Sequence, residues 1–301
     1  MKLIIKLSTI LLLVAFNSNV IAALNIFACE PEWASLANEL GADRIKTYSA
    51  TTAYQDPHHI EARPSLIAKV RRADLLICSG AELEAGWLPV LLRQASNKKV
   101  LPGKPGHFEA AMMVDRLDVP THIDRSMGDV HASGNPHVHL DPRRILTIAR
   151  ELTPRLIEID PEGSTYYEQQ LKSFETRWQQ AMGKWQQQAS PLKGKRIVVH
   201  HKSWLYLFDW LGIEIAGTLE PKPGLPTTAG HLVSLKKKLK DKPAAMIIHT
   251  TYQNPRAAQR LAQLTQLPVV ELPYTVGGDE KATDLFSMFD VTIEKLNGAL
   301  K

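Results

Sequence analysis

Six of the chain's 11 histidines fall in three tight doublets: His58-His59, His137-Val138-His139 and His200-His201. A neutral imidazole is the commonest metal-ligating side chain, and a zinc site needs three or four such donors to converge. The doublets therefore carry enough donors for one transition-metal site, provided the fold brings distant segments together. A lone histidine is ordinary, because histidines of intermediate burial are common and usually just hydrogen-bonded. Three loops of like character make the joint case stronger than any one of them.

The first doublet stands in Tyr54-Gln55-Asp56-Pro57-His58-His59-Ile60-Glu61-Ala62-Arg63-Pro64-Ser65. It follows a strand-like segment at residues 44–49 and precedes a helix begun by Pro64, a setting at the sheet edge where open α/β sheets bind ligands. Turn residues flank the second doublet in Gly134-Asn135-Pro136-His137-Val138-His139-Leu140-Asp141-Pro142. In an extended backbone its two imidazoles point to the same side. His200 and His201 end a buried strand and open a helix, so one of the two is expected at a shared site. His107, His122 and His231 have no comparable setting and read as surface residues. His131, near the second doublet, and His249, at a strand end, are intermediate.

The elements that must position these loops alternate. Apolar strand-like runs occur at Leu24–Ala28, Leu75–Cys78 and residues 196–200, 244–248 and 268–272, with helical patterns at Pro31–Gly41, Pro64–Arg72 and residues 284–296. Such alternation implies parallel sheets covered by helices. Residues 164–189 lack proline and carry one glycine, Gly183. There Leu171, Phe174, Trp178, Ala181 and Trp185 recur at three- and four-residue steps, the apolar face of a long amphipathic helix. At 1.5 Å per residue, about 25 residues make a rod of nearly 40 Å. The expectation is an α/β protein of two Rossmann-like lobes with parallel sheets, residues 23–160 and 191–301, joined by a long rigid backbone helix within 161–190.

Residues 1–22 combine Lys2 and Lys6, an apolar run at 7–16 and small residues ending at Ala22. That order reads as a cleavable secretory signal, since the run is shorter than the roughly 20 residues that span a bilayer. The expected location is therefore periplasmic. Without the leader and its two lysines the formal charge falls from +5 to +3. The Lys236-Lys237-Lys238-Leu239-Lys240 run reads as a solvated helix face, and nucleic acid is not an expected partner. The two cysteines, Cys29 and Cys78, each end a buried strand-like run. Adjacent strands lie about 4.8 Å apart, within disulfide reach, and an oxidising compartment favours the bridge. Neither cysteine has the second pair that thiolate zinc sites use.

Three separated elements agree with one family: Asp56-Pro57-His58-x-x-Glu61-x-x-Pro64-Ser65, Asn135-Pro136-His137-x-x-Leu140-Asp141-Pro142 and His201-Lys202-Ser203-Trp204-x-Tyr206. In order and spacing they resemble the metal-binding receptors of ABC transporters for zinc and manganese (cluster A-I), and the resemblance runs from Leu24 to near the C-terminus. It implies a metal held in the cleft between lobes by His58, His137 and His201, and a monomer that hands the ion to an ABC transporter permease in the inner membrane. The family commonly completes its site with an aspartate from the C-terminal lobe, where this chain has Tyr274. The fourth donor is left open among Asp279, Glu220, a neighbouring histidine and water. Imidazoles suit Zn2+, whereas Mn2+ sites lean on oxygen donors; zinc is the first expectation and manganese the second. Residues 122–131 form at most a sparse histidine-bearing loop. Two other functions fit three histidines: a secreted zinc hydrolase with Glu61 as its nearest general base, and a periplasmic metal chaperone. No His-Glu-x-x-His helix supports the enzyme.

Overall fold

Fully apolar runs of four or five residues cannot leave either face in water, so they become the centres of sheets covered on both sides. The computed structural model describes residues 23–122, 124, 128 and 130–300; the expected leader at 1–22 lies outside them. The first half contains β1 (Leu24–Ala28), α1 (Pro31–Gly41), β2 (Ile45–Ser49), α2 (Pro64–Arg72), β3 (Leu75–Cys78), α3 (Leu88–Ala95), β4 (His107–Glu109) and α4 (Pro142–Ile159). After α5 (Ser164–Gln188) come β5 (Arg196–Val199), α6 (Leu205–Leu211), β6 (Glu214–Thr218), α7 (Ala229–Asp241), β7 (Met246–Thr250), α8 (Arg256–Thr265), β8 (Val269–Leu272) and α9 (Leu285–Gly298). Strands β3 and β7 are buried along their whole length.

Each half builds one four-stranded sheet, in the orders β2-β1-β3-β4 and β6-β5-β7-β8. All strand pairs are parallel, as the alternating pattern implies. In both sheets the order reverses beside the first strand, the arrangement that opens a crevice at the carboxyl ends of the strands. Strands β4 and β6 are additions to the sequence reading. The first spans three residues, too few for a period to register, and the second contains Gly217 and a shifted register. A Cβ on Gly217 would stand 2.6 Å from Leu235 Cδ1, so glycine is what lets α7 close on the strand.

Helix α5 follows the predicted face and is embedded in the core. Phe174, Trp178 and Trp185 are fully buried, each contributing about 2–3 kcal/mol of apolar burial. Phe286 and Phe289 of α9 pack edge-on against Trp178 and at a tilt against Trp185. The indole of Trp178 donates to Pro142 O at 2.8 Å and that of Trp185 to Asp290 at 2.6 Å. One helix thus anchors to α4 in the first half and to α9 in the second. Cys29 and Cys78, at the ends of adjacent strands, form a disulfide with Cα atoms 4.8 Å apart. No described helix is long and apolar enough to cross a membrane.

Candidate metal centre

His201, Glu220 and Tyr274 stand just beyond the carboxyl ends of β5, β6 and β8, His58 lies in the loop between β2 and α2, and His137 lies in the long connection between β4 and α4. The three expected ligands converge. Ring centroids are 5.9 Å apart for His58 and His137, 6.1 Å for His58 and His201, and 5.7 Å for His137 and His201. His137 is completely buried, while His58 and His201 keep a partly open side.

Each imidazole is held by its Nδ1. Asp56 Oδ1 accepts from His58 Nδ1 at 2.7 Å and from the His58 backbone N–H at 3.0 Å, an Asx turn that fixes both ring and loop. Glu220 Oε2 accepts from His201 Nδ1 at 2.8 Å. A carboxylate only accepts, so in the neutral rings Nδ1 carries the hydrogen and Nε2 carries the free lone pair. His137 Nδ1 lies 2.7 Å from the Tyr274 hydroxyl. Its Nε2 is buried without a hydrogen-bond partner, and burial, reinforced by His201 and His58, pushes its pKa well below the usual 6.5. A buried, uncharged, unpaired nitrogen in a ring that packs against two other imidazoles fits a metal ion, because a metal would offset the cost of leaving that nitrogen unsatisfied.

The second doublet departs from expectation. Residues Val138–Leu140 form a 3-10 turn, so the two rings do not share a face. His139 turns inward: its Nε2 bonds Tyr274 O at 3.0 Å, and its Nδ1 lies 3.2 Å from Glu32 Oε1 without hydrogen-bond alignment. His59 is exposed, and His200 stands 3.8 Å from the other oxygen of Glu220. The surface assignment holds for exposed His122 but not for His107, whose side chain bonds Val100 O and Glu109, nor for half-buried His231, which bonds Thr218 O.

Of the candidate fourth donors, Asp279 is tied to Lys295 at 2.7 Å, which holds its carboxyl below the ordinary range. Glu220 is engaged by His201. A neighbouring histidine is present: His131 Nε2 lies 3.3 Å from His58 Nε2, with ring centroids 5.3 Å apart. Tyr274 is fully buried, and burial raises its pKa well above 10, so it remains a neutral phenol. Cys29, Cys78 and Glu84 also crowd together, but the sulfurs are spent in the disulfide. Glu61, the hydrolase candidate's nearest base, is exposed.

The motif residues beside the ligands pin the halves together. Asn135 donates to Lys202 O at 2.9 Å, and the Tyr206 hydroxyl donates to Asn135 O at 2.5 Å while accepting from Leu117 N at 3.0 Å. Asp141, buried, caps α4 and pairs with Arg143 and Arg144. Thr251 donates to Ala53 O at 2.8 Å, and Thr275 donates to Glu32. These contacts were not singled out in the sequence, although Asn135, Asp141 and Tyr206 lie inside the matched motifs.

Among similar proteins, a manganese ABC transporter substrate-binding lipoprotein, ScaA of Streptococcus gordonii, is 23% identical over 92% of this chain and 89% of its own. The manganese lipoprotein PsaA of Streptococcus anginosus is 22% identical over 91% and 88%. The fold matches a crystal structure of ZnuA with a TM-score of 0.77, 20% identity, and coverage of 93% of this chain and 100% of that one. It also matches a manganese-bound serine-to-alanine mutant of a periplasmic metal-binding protein from Candidatus Liberibacter asiaticus, TM-score 0.75, 13% identity, covering 92% and 99%. A family model described as zinc-uptake complex component A, periplasmic, matches residues 26–299; this chain therefore belongs to that family of metal-binding, non-enzymatic solute-binding proteins of ABC transporters.

Proposed function

We propose that this protein is a periplasmic zinc receptor, secreted by a cleavable signal, in which His58, His137 and His201 ligate the ion and present it as a monomer to an ABC transporter permease. The observation that carries the reading is the bare, buried Nε2 of His137 facing two further imidazoles whose Nδ1 atoms are held by carboxylates. A proton on Nδ1 and a lone pair on Nε2 is the ligating tautomer, and a carboxylate behind the ring raises its basicity. Capture then costs little reorganisation: the rings are already oriented, and the ion replaces protons or water. Release requires loosening one loop, because each proposed ligand sits on a separate connection between elements.

Zinc is favoured over manganese by the donors. Asp56 and Glu220 spend their carboxylates on imidazoles, Asp279 is paired with a lysine, and what faces the cleft is nitrogen. Manganese prefers oxygen ligands. The manganese named for relatives such as ScaA makes it the second reading. Calorimetry of chelator-stripped protein with zinc, manganese and copper, repeated on His58→Ala, His137→Ala and His201→Ala, tests both points. Parent-like binding by those variants would show the ligand assignment to be wrong, and tighter manganese than zinc binding would reverse the choice of metal.

A further inference from the structure

Resting on the zinc reading, we infer that His131 is the fourth ligand, taking through its Nε2 the position that a C-terminal aspartate commonly fills. The two Nε2 atoms of His58 and His131 are 3.3 Å apart. A tetrahedron with zinc–nitrogen bonds of 2.0–2.1 Å has edges of about 3.3–3.4 Å, so the pair already has the separation of two ligands on one ion. His131 also faces His137, with ring centroids 6.5 Å apart. It therefore borders two of the three proposed ligands.

Tyr274 is engaged by His137 Nδ1, Glu220 by His201 Nδ1 and Asp279 by Lys295, and His139 bonds Tyr274 O through Nε2. His131 is also presented by a braced backbone. Ser133 donates through N and Oγ to Glu82 at 3.1 and 2.8 Å, and Arg116 Nε donates to Ser133 O at 2.6 Å. Gly134 N donates to His131 O at 3.2 Å. Gly134 has φ +99, and a Cβ there would stand 2.8 Å from Val119 Cγ2 and 3.1 Å from Leu117 O. Glycine alone accepts that turn, which stands midway between His131 and His137 in the chain. An uncharged set of four imidazoles is a borderline-soft donor set, which favours zinc and disfavours manganese more strongly than three imidazoles with a carboxylate.

The test compares His131→Ala, the exposed neighbour His122→Ala and the parent, each stripped and reloaded with zinc or cobalt. His131→Ala is expected to weaken zinc by about 100-fold or more, beyond the 10–100-fold typical of losing a group behind a ligand. Manganese affinity should change far less. X-ray absorption should count four imidazoles in the parent and three in His131→Ala, and the cobalt visible bands should move, with His122→Ala matching the parent in both. Parent-like zinc affinity and an unchanged cobalt spectrum for His131→Ala, alongside lost binding in His137→Ala, would overturn this assignment and leave the three-histidine site intact. Retained binding in His137→Ala as well would instead overturn the reading beneath it.

Discussion

The Tyr274 hydroxyl lies 2.7 Å from His137 Nδ1, on the side of the ring away from the cleft. Tyr274 therefore contacts the proposed ligand His137 at the ring nitrogen that is not the proposed donor. Ligation through Nε2 requires the tautomer in which Nδ1–H donates to the phenol oxygen.

Tyr274→Phe keeps the ring and removes that acceptor, leaving a buried N–H unsatisfied at a cost of about 1–3 kcal/mol. Zinc affinity is expected to fall about 10-fold with little change in fold, measured by competition with a chromophoric chelator. An unchanged affinity would mean that the hydroxyl does not set the tautomer.

Glu220 holds His201 as Asp56 holds His58. Glu220→Ala should weaken zinc 10–100-fold, whereas Glu220→Gln, whose amide oxygen still accepts from Nδ1, should retain most of the affinity. Equal losses in the two variants would point to charge rather than orientation.

Stability without metal should depend on pH in two opposed ways. His137 and His200 have pKa values lowered chiefly by burial. The unfolded chain then binds more protons, so their effect appears as lost stability when pH falls below about 6.5. Glu30 and Glu84 are buried side by side. Burial raises both, with the Glu84 charge adding to the shift at Glu30, and Glu84 is pushed up to about 7. The folded state holds the extra proton there, so stability is lost as pH rises from about 4.5 through 7. For Glu84 the loss between pH 6 and 8 is about 1.4 kcal/mol. Urea unfolding of Glu84→Gln should lack that drop; an identical pH profile would refute the assignment.

The disulfide closes a loop of sequence separation 49, worth about 4 kcal/mol in the chain-entropy account. A Cys29→Ser, Cys78→Ser double variant should unfold at clearly lower denaturant than the oxidised parent. Coincident curves would show that the bridge adds nothing.

Because Trp178 and Trp185 tie α5 to both halves, metal binding should cause little closure. Solution scattering with and without zinc is expected to give the same radius of gyration within error, and a marked contraction would contradict the rigid connection.

Local pattern by itself determined the alternating elements, the helix 164–189 with its aromatic face, the proline starts of α1 and α2, and three histidine loops at strand-to-helix junctions. These follow from periodicity and capping, which act over a few residues. Tertiary structure decided which nitrogen of each histidine faces the cleft, because Asp56, Glu220 and Tyr274 select it from 2, 19 and 137 positions away. It also turned His139 inward, drew His131 to 3.3 Å from His58 and paired Asp279 with Lys295. A tautomer and a ring direction depend on hydrogen-bond partners, and those partners become neighbours only when the crevice between the two sheets is assembled.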